Sequence, residues 1–176
     1  MPFVIAVLGI LAGVYFFVIR ARNAHHMATE VLDAANDVRL AARRFGFRRR
    51  TNVHPADSIE DPTVALAALG SAFAELDDLP SKEQREALVV AIARQGRVSS
   101  NEAAEMLVLG RWIMTECGSP EQAVPRLAKR LVKLQGQEGF QSLLEIVQAV
   151  AKAGSGALSG KQKEALDDIR RIYRIR

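Results

Sequence analysis

Apolar positions along this chain follow two patterns, one unbroken run and then a series of helical repeats. The run comes first: PFVIAVLGILAGVYFFVI, Pro2 to Ile19, holds no charged residue and no Asn, Gln, His, Ser or Thr, and Arg20 and Arg22 follow at once. As a helix rising about 1.5 Å per residue it covers roughly 27 Å, close to the ~30 Å of bilayer hydrocarbon, which predicts a transmembrane helix. Nothing basic precedes Phe3 and no small-residue cleavage site follows Ile19, so the run reads as a retained anchor rather than a signal peptide.

Helical periodicity then takes over. From Met27 to Phe45, apolar Val31, Ala35, Val38, Ala42 and Phe45 recur three or four residues apart, which predicts a juxtamembrane helix that Gly46 ends. Two placements fit it: straight on from the span, or bent at Asn23 to His26 and lying on the membrane. Residues 51–61, punctuated by Pro55 and Pro62, read as an extended connector. Six further helices are predicted: Pro62 to Leu76, Lys82 to Gln95, Ser100 to Glu116, Pro120 to Leu134, Glu138 to Lys152 and Gly160 to Ile172. No stretch alternates apolar and polar residues as a strand would, so the class is all-α. The organisation is 1–22 transmembrane anchor, 23–50 basic juxtamembrane helix, 51–61 connector and 62–176 a bundle of about six helices. The stretch from Ser100 is apolar nearly all round, with Met106, Leu107, Val108, Leu109, Trp112, Ile113 and Met114, which places it centrally. Trp112, Met114 and Cys117 are read as core.

The helix starts share a design. Ser81-Lys-Glu-Gln84, Ser99-Ser-Asn-Glu102 and Ser159-Gly-Lys-Gln162 each fit a capping box, in which the serine accepts from the N3 amide and the Glu or Gln reaches back. Asp61 before Pro62 and Ser119 before Pro120 are further caps. EQREAL at 83–88 and KQKEAL at 161–166 match in register, suggesting a duplicated helix-turn-helix unit.

Charge changes the picture by its position. The chain has a pI near 9.6 and a net charge of +4, yet residues 20–50 carry +5 and residues 51–176 carry −1. Arginines on one side of a span mark the cytoplasmic side, which predicts a single-pass protein of the bacterial inner membrane, N-terminus outside and domain in the cytoplasm. Arg20, Arg22, Arg43, Arg44, Arg48, Arg49 and Arg50 form the candidate membrane-surface patch, each worth about 1 kcal/mol against anionic headgroups. Phe45 and Phe47 interleave them and either dip into the interface or dock on the domain. Nucleic acid is the weaker reading of the same arginines, because the folded domain lacks a basic face. Gly9 and Gly13 form a GxxxG pair, which suits a homodimer through the span as well as simple anchoring.

Candidate chemistry is sparse. Cys117 is the only cysteine and His54 has no second histidine or cysteine near it in sequence, so neither a disulfide nor a transition-metal set is read. There is no phosphate-cradling glycine loop and no nucleophile beside a base, which points to a non-enzymatic interaction module.

DPTVALAALGSAFAELDDLPSKEQREAL, AIARQGRVSSNEAAEML and LLEIVQAVAKAGSGALSGKQKEAL resemble the TerB-like helical domain over about residues 59–174. A span followed by such a domain is similar to the membrane-anchored DjlA-type co-chaperones. Those add a J domain with a His-Pro-Asp tripeptide; His54-Pro55-Ala56-Asp57 has one residue too many, so co-chaperone activity is not implied. The resemblance also implies an acidic cation site, which here lands on Asp77 and Asp78 with Glu83 nearby. A Ca²⁺-like ion wants six to eight oxygens, and the equivalent turn Gly154-Ser155-Gly156 offers no carboxylate. Three functions follow from these readings. The first is a membrane-anchored module that binds an unidentified protein partner in envelope or stress responses. The second is a membrane-tethered divalent-cation sensor at Asp77 and Asp78, and the third a nucleic-acid binder using Arg43 to Arg50. No other cofactor is implied.

Overall fold

The computed structural model of the chain describes residues 34–174, and all regular structure among them is helical. Helix α1 covers residues 34–44. It ends where the Phe47 amide donates to the Ala42 carbonyl across Gly46, at φ 66°, the glycine-centred closure expected at a helix C-terminus. A 3-10 turn, Pro55–Ser58, precedes α2 (Pro62–Ala74), α3 (Lys82–Gly96), α4 (Ser100–Glu116), α5 (Pro120–Gln135), α6 (Glu138–Ala153) and α7 (Gly160–Ile172). Residues Val38–Arg176 form one compact unit; of the other, Met1–Asp37, only 34–37 are described.

The caps explain these boundaries. Ser81, Ser99 and Ser159 each complete a capping box with Gln84, Glu102 and Gln162. Asp61 and Ser119 accept from the Thr63 and Gln122 amides. Each cap satisfies amides that a helix start leaves without partners, and so fixes where the next helix begins.

Packing is organised by α2, not by α4. All residues from Val64 to Ala74 are buried, and α2 contacts α3, α4, α5 and α6. Alanines at 65, 67, 68, 72 and 74 let neighbours close in on every side of it. The closest approach is at Gly110 of α4, where a Cβ would stand 2.7 Å from the Ala68 nitrogen and 2.9 Å from its Cα. The expectation that the Ser100 helix lies at the centre is therefore corrected. Its Met106, Leu109, Ile113 and Met114 face the core, while Leu107 and Trp112 are half-buried and Val108 is exposed.

The connector is also more than a connector. Ile59 and Ala56 are fully buried, and Arg130 of α5 donates through Nε to the Ile59 carbonyl at 2.6 Å. His54 accepts from the Ala56 amide through Nδ1 and lies 3.1 Å from the Glu116 carbonyl through Nε2, tying the 3-10 turn to the end of α4. Phe45 and Phe47 dock on the domain, with Phe47 meeting Trp112 edge-on at 6.0 Å. At the far end, Tyr173 closes the bundle beneath Gly139, where a Cβ would stand 2.8 Å from its hydroxyl. Burial pushes that phenol up to about 12.

One expectation is overturned. Among the described residues no helix is long and apolar enough to cross a membrane. The longest helix among the described residues, α4, has 17 residues and carries Glu102, Glu105, Arg111 and Glu116, against the roughly 20 consecutive apolar residues that a span needs. Pro2 to Ile19, with Gly9, Gly13, Arg20 and Arg22, lies outside the described residues. The transmembrane architecture, the inner-membrane localisation, the anionic-lipid contacts and the dimer through a span are accordingly corrected to an all-helical bundle around α2.

Candidate functional site

A concave apolar surface forms where the end of α2, the turn after it, α3 and α4 meet. Its position follows from how these elements spend their side chains. Helix α3 commits only Leu88, Ala91 and Ile92 to the core, so Val89 stays half-buried on its α4 side. Helix α4 meets α2 through Gly110, and beside that contact its Leu107 stays half-buried and its Val108 exposed. The turn Leu76 to Ser81 contributes Leu79, which is 70 % exposed although apolar. Together these walls enclose about 280 Å³, just under the range of about 300–1,000 Å³ usual for small-molecule pockets. The space suits one or two large apolar side chains.

Two guanidinium groups stand at the rim, each fixed by a partner. Arg111 Nε lies 2.9 Å from Glu75 Oε1, and that glutamate side chain is only 12 % exposed. Arg85 Nη1 donates to the Pro80 carbonyl at 2.6 Å. A guanidinium carries five N–H donors in a rigid plane, and each of these contacts engages one of its nitrogens. The groove's lining charges are Arg85, Arg111 and Glu75, a net of one positive charge.

The residues singled out in the sequence lie elsewhere. Arg44 pairs with Glu105 at 2.7 Å and Glu102 at 3.3 Å, Arg49 with Glu116 at 3.6 Å, and Arg50 with Glu60. Three arginines of the basic stretch thus lie against carboxylates of the domain, while Arg43 and Arg48 are exposed. Exposed pairs of this kind are worth about 0–1 kcal/mol each, so they orient the 44–50 segment more than they stabilise it.

Asp77 and Asp78 are exposed beside a hollow of about 240 Å³ shared with Ser155, Ser159 and Gln162. The two equivalent turns of the repeated hairpins therefore face each other. Glu83 is turned into its own helix start, accepting from the Ser81 hydroxyl at 2.8 Å. A backbone hydrogen bond and that hydroxyl hold its carboxyl below the usual range. Lys161 brings a positive charge to the same turn, donating to the Leu76 carbonyl at 3.2 Å and pairing with Glu121 at 3.4 Å. Among the described residues no group of three His, Cys, Asp or Glu side chains could hold a metal ion. Cys117 is half-buried, donates to the Ile113 carbonyl at 3.4 Å, and burial pushes its thiol up, the opposite of what a reactive cysteine needs.

Sequence reasoning missed the groove because its residues carry no chemical motif. A signal was present in Leu79, an apolar residue between Asp78 and Pro80 in an otherwise polar turn, and in Val108, an apolar residue out of phase with the core face of α4. No family model matches the chain, and comparison with curated proteins and with solved structures finds no match.

Proposed function

We propose that this chain is a non-enzymatic, TerB-like helical interaction module whose groove between α3 and α4 receives an apolar, acidic segment of a partner protein. The observation that carries the reading is the pairing of an apolar floor with two anchored guanidiniums at its rim. Apolar side chains of the partner bury against Leu79, Leu107 and Val108, and a neighbouring Asp or Glu completes the charge balance at Arg85 and Arg111. Such contacts follow the helix-in-groove mode of recognition, in which two or three anchors spaced three or four residues apart supply most of the binding. Charge-assisted contacts from carboxylate to arginine then set orientation and partner choice. The repeated capped hairpins support the TerB-like part of the reading, since both starts carry the same Ser-x-x-Gln box.

Selection of displayed peptides on the full-length chain tests this function. Enriched peptides should combine two apolar residues at helical spacing with an adjacent Asp or Glu, and should bind the Arg85→Glu variant at least tenfold more weakly. Enrichment of basic peptides, or binding unchanged by Arg85→Glu, would overturn it.

A further inference from the structure

Helix α3 has a second apolar strip, turned away from that groove. Val90 is 63 % exposed and borders a separate hollow of about 390 Å³ against α6, with Ala87, Ala91 and Ala149 among its walls. Exposed charges along the same strip are ordered: Glu86 precedes Val90 and Arg94 follows it, each four residues away. Positions separated by four residues share one helix face, so the strip reads acidic, apolar, basic from its N-terminal to its C-terminal end. Among the described residues, no ion pair takes Arg94, whereas Glu86 has only the exposed i,i+4 contact with Lys82 at 3.8 Å.

That order is self-complementary. We infer that the α3 face centred on Val90 is a two-fold docking surface for a second copy of this chain. With two α3 helices antiparallel and Val90 on the axis, residue n of one copy faces residue 180 − n of the other. Glu86 then meets Arg94 of the second copy, two charge pairs in all, while Ala87 faces Ala93. In the parallel arrangement the same residues would bring like charges together. The alanine walls beside Val90 leave room for the flank of the second helix, as close helix packing requires. One helix per copy buries less than the roughly 1,200 Å² of a standard interface, so the association is weak and concentration-dependent. The surface is distinct from the peptide groove and leaves it open.

Cysteine crosslinking in the full-length chain tests the inference, because a residue on a two-fold axis meets its own copy. In a Cys117→Ser background, Val90→Cys should form a disulfide-linked dimer under mild oxidation at least tenfold faster than Asp168→Cys on α7. Association through any other part of the chain would raise no preference for Val90→Cys. Adding Glu86→Arg should slow the Val90→Cys reaction at least fivefold, and adding Arg94→Glu to that variant should restore it. Val90, Asp168, Glu86 and Arg94 are exposed, so helix content by circular dichroism should match that of the Cys117→Ser parent throughout. A Val90→Cys rate equal to that of Asp168→Cys, or a rate indifferent to the charge reversals, would overturn the inference. Slowing that the second reversal fails to restore would overturn the antiparallel register.

Discussion

Helices α2 and α3 are adjacent in sequence and similar in length, yet they use their side chains in opposite ways. Helix α2 buries eleven of thirteen residues and holds no charged side chain; α3 buries three of fifteen and carries charged residues at both ends. Apolar residues of α2 touch helices on all sides, so each contributes to stability. Those of α3 are divided: Leu88 and Ile92 face the core, while Val89 and Val90 lie on two outer flanks where nothing within the domain covers them fully. The lesson is that hydrophobicity in this chain has two destinations, and exposure at particular positions separates them.

The largest test of that contrast is Leu69→Ala in the middle of α2. Leu69 is fully buried, and truncating it should cost about 2–5 kcal/mol, read as a lower urea midpoint of the full-length chain. Gly110→Ala comes next. The added methyl would press on Ala68 backbone atoms, which cannot rotate aside, and an overpacking cost of about 1–3 kcal/mol should exceed the gain of up to ~1 kcal/mol from replacing a helical glycine.

Acid sharpens the comparison differently. Glu83 at the start of α3 and Glu102 at the start of α4 are held below the ordinary glutamate value of 4.5, chiefly by backbone hydrogen bonds and then by the Ser81 and Ser99 hydroxyls. A carboxyl whose folded value is depressed stabilises fully above its unfolded value and loses that contribution as pH falls through the folded one. Stability should therefore decline below pH 4.5, and amide exchange should rise in the opening turns of α3 and α4 while the buried middle of α2, which holds no charged side chain, stays protected. Ser99→Ala should flatten the part of the decline that belongs to Glu102. The smallest effect is expected from Val90→Ala, within about 0.5 kcal/mol because the side chain is largely exposed.

Helix ends were legible in the sequence because serine caps and reciprocal Glu or Gln residues are local devices; α4 and α7 begin and end where their pattern places them. The central element was not. An alanine-rich helix has few large side chains to mark it as a centre, but small side chains are what let four neighbours approach α2. The Ser100 helix looked more central because it carries larger apolar groups, and some of those, Leu107 and Val108, line a surface groove instead. Burial of Ile59 was hidden for a similar reason. Its carbonyl is held by Arg130, 71 residues away, a contact no local pattern announces. The basic stretch was visible as charge, but its partners Glu60, Glu102, Glu105 and Glu116 are assembled only by the fold.

The most direct measurement of the docking claim is Val108→Glu in the full-length chain, followed by both chemical denaturation and affinity for a selected apolar, acidic peptide. With Val108 at 41 % exposure on the groove wall, the urea midpoint should stay near that of the parent chain and the affinity should be at least tenfold weaker. A variant that loses stability while binding the peptide as tightly as before would show that Val108 serves the core and that the groove is not the docking site.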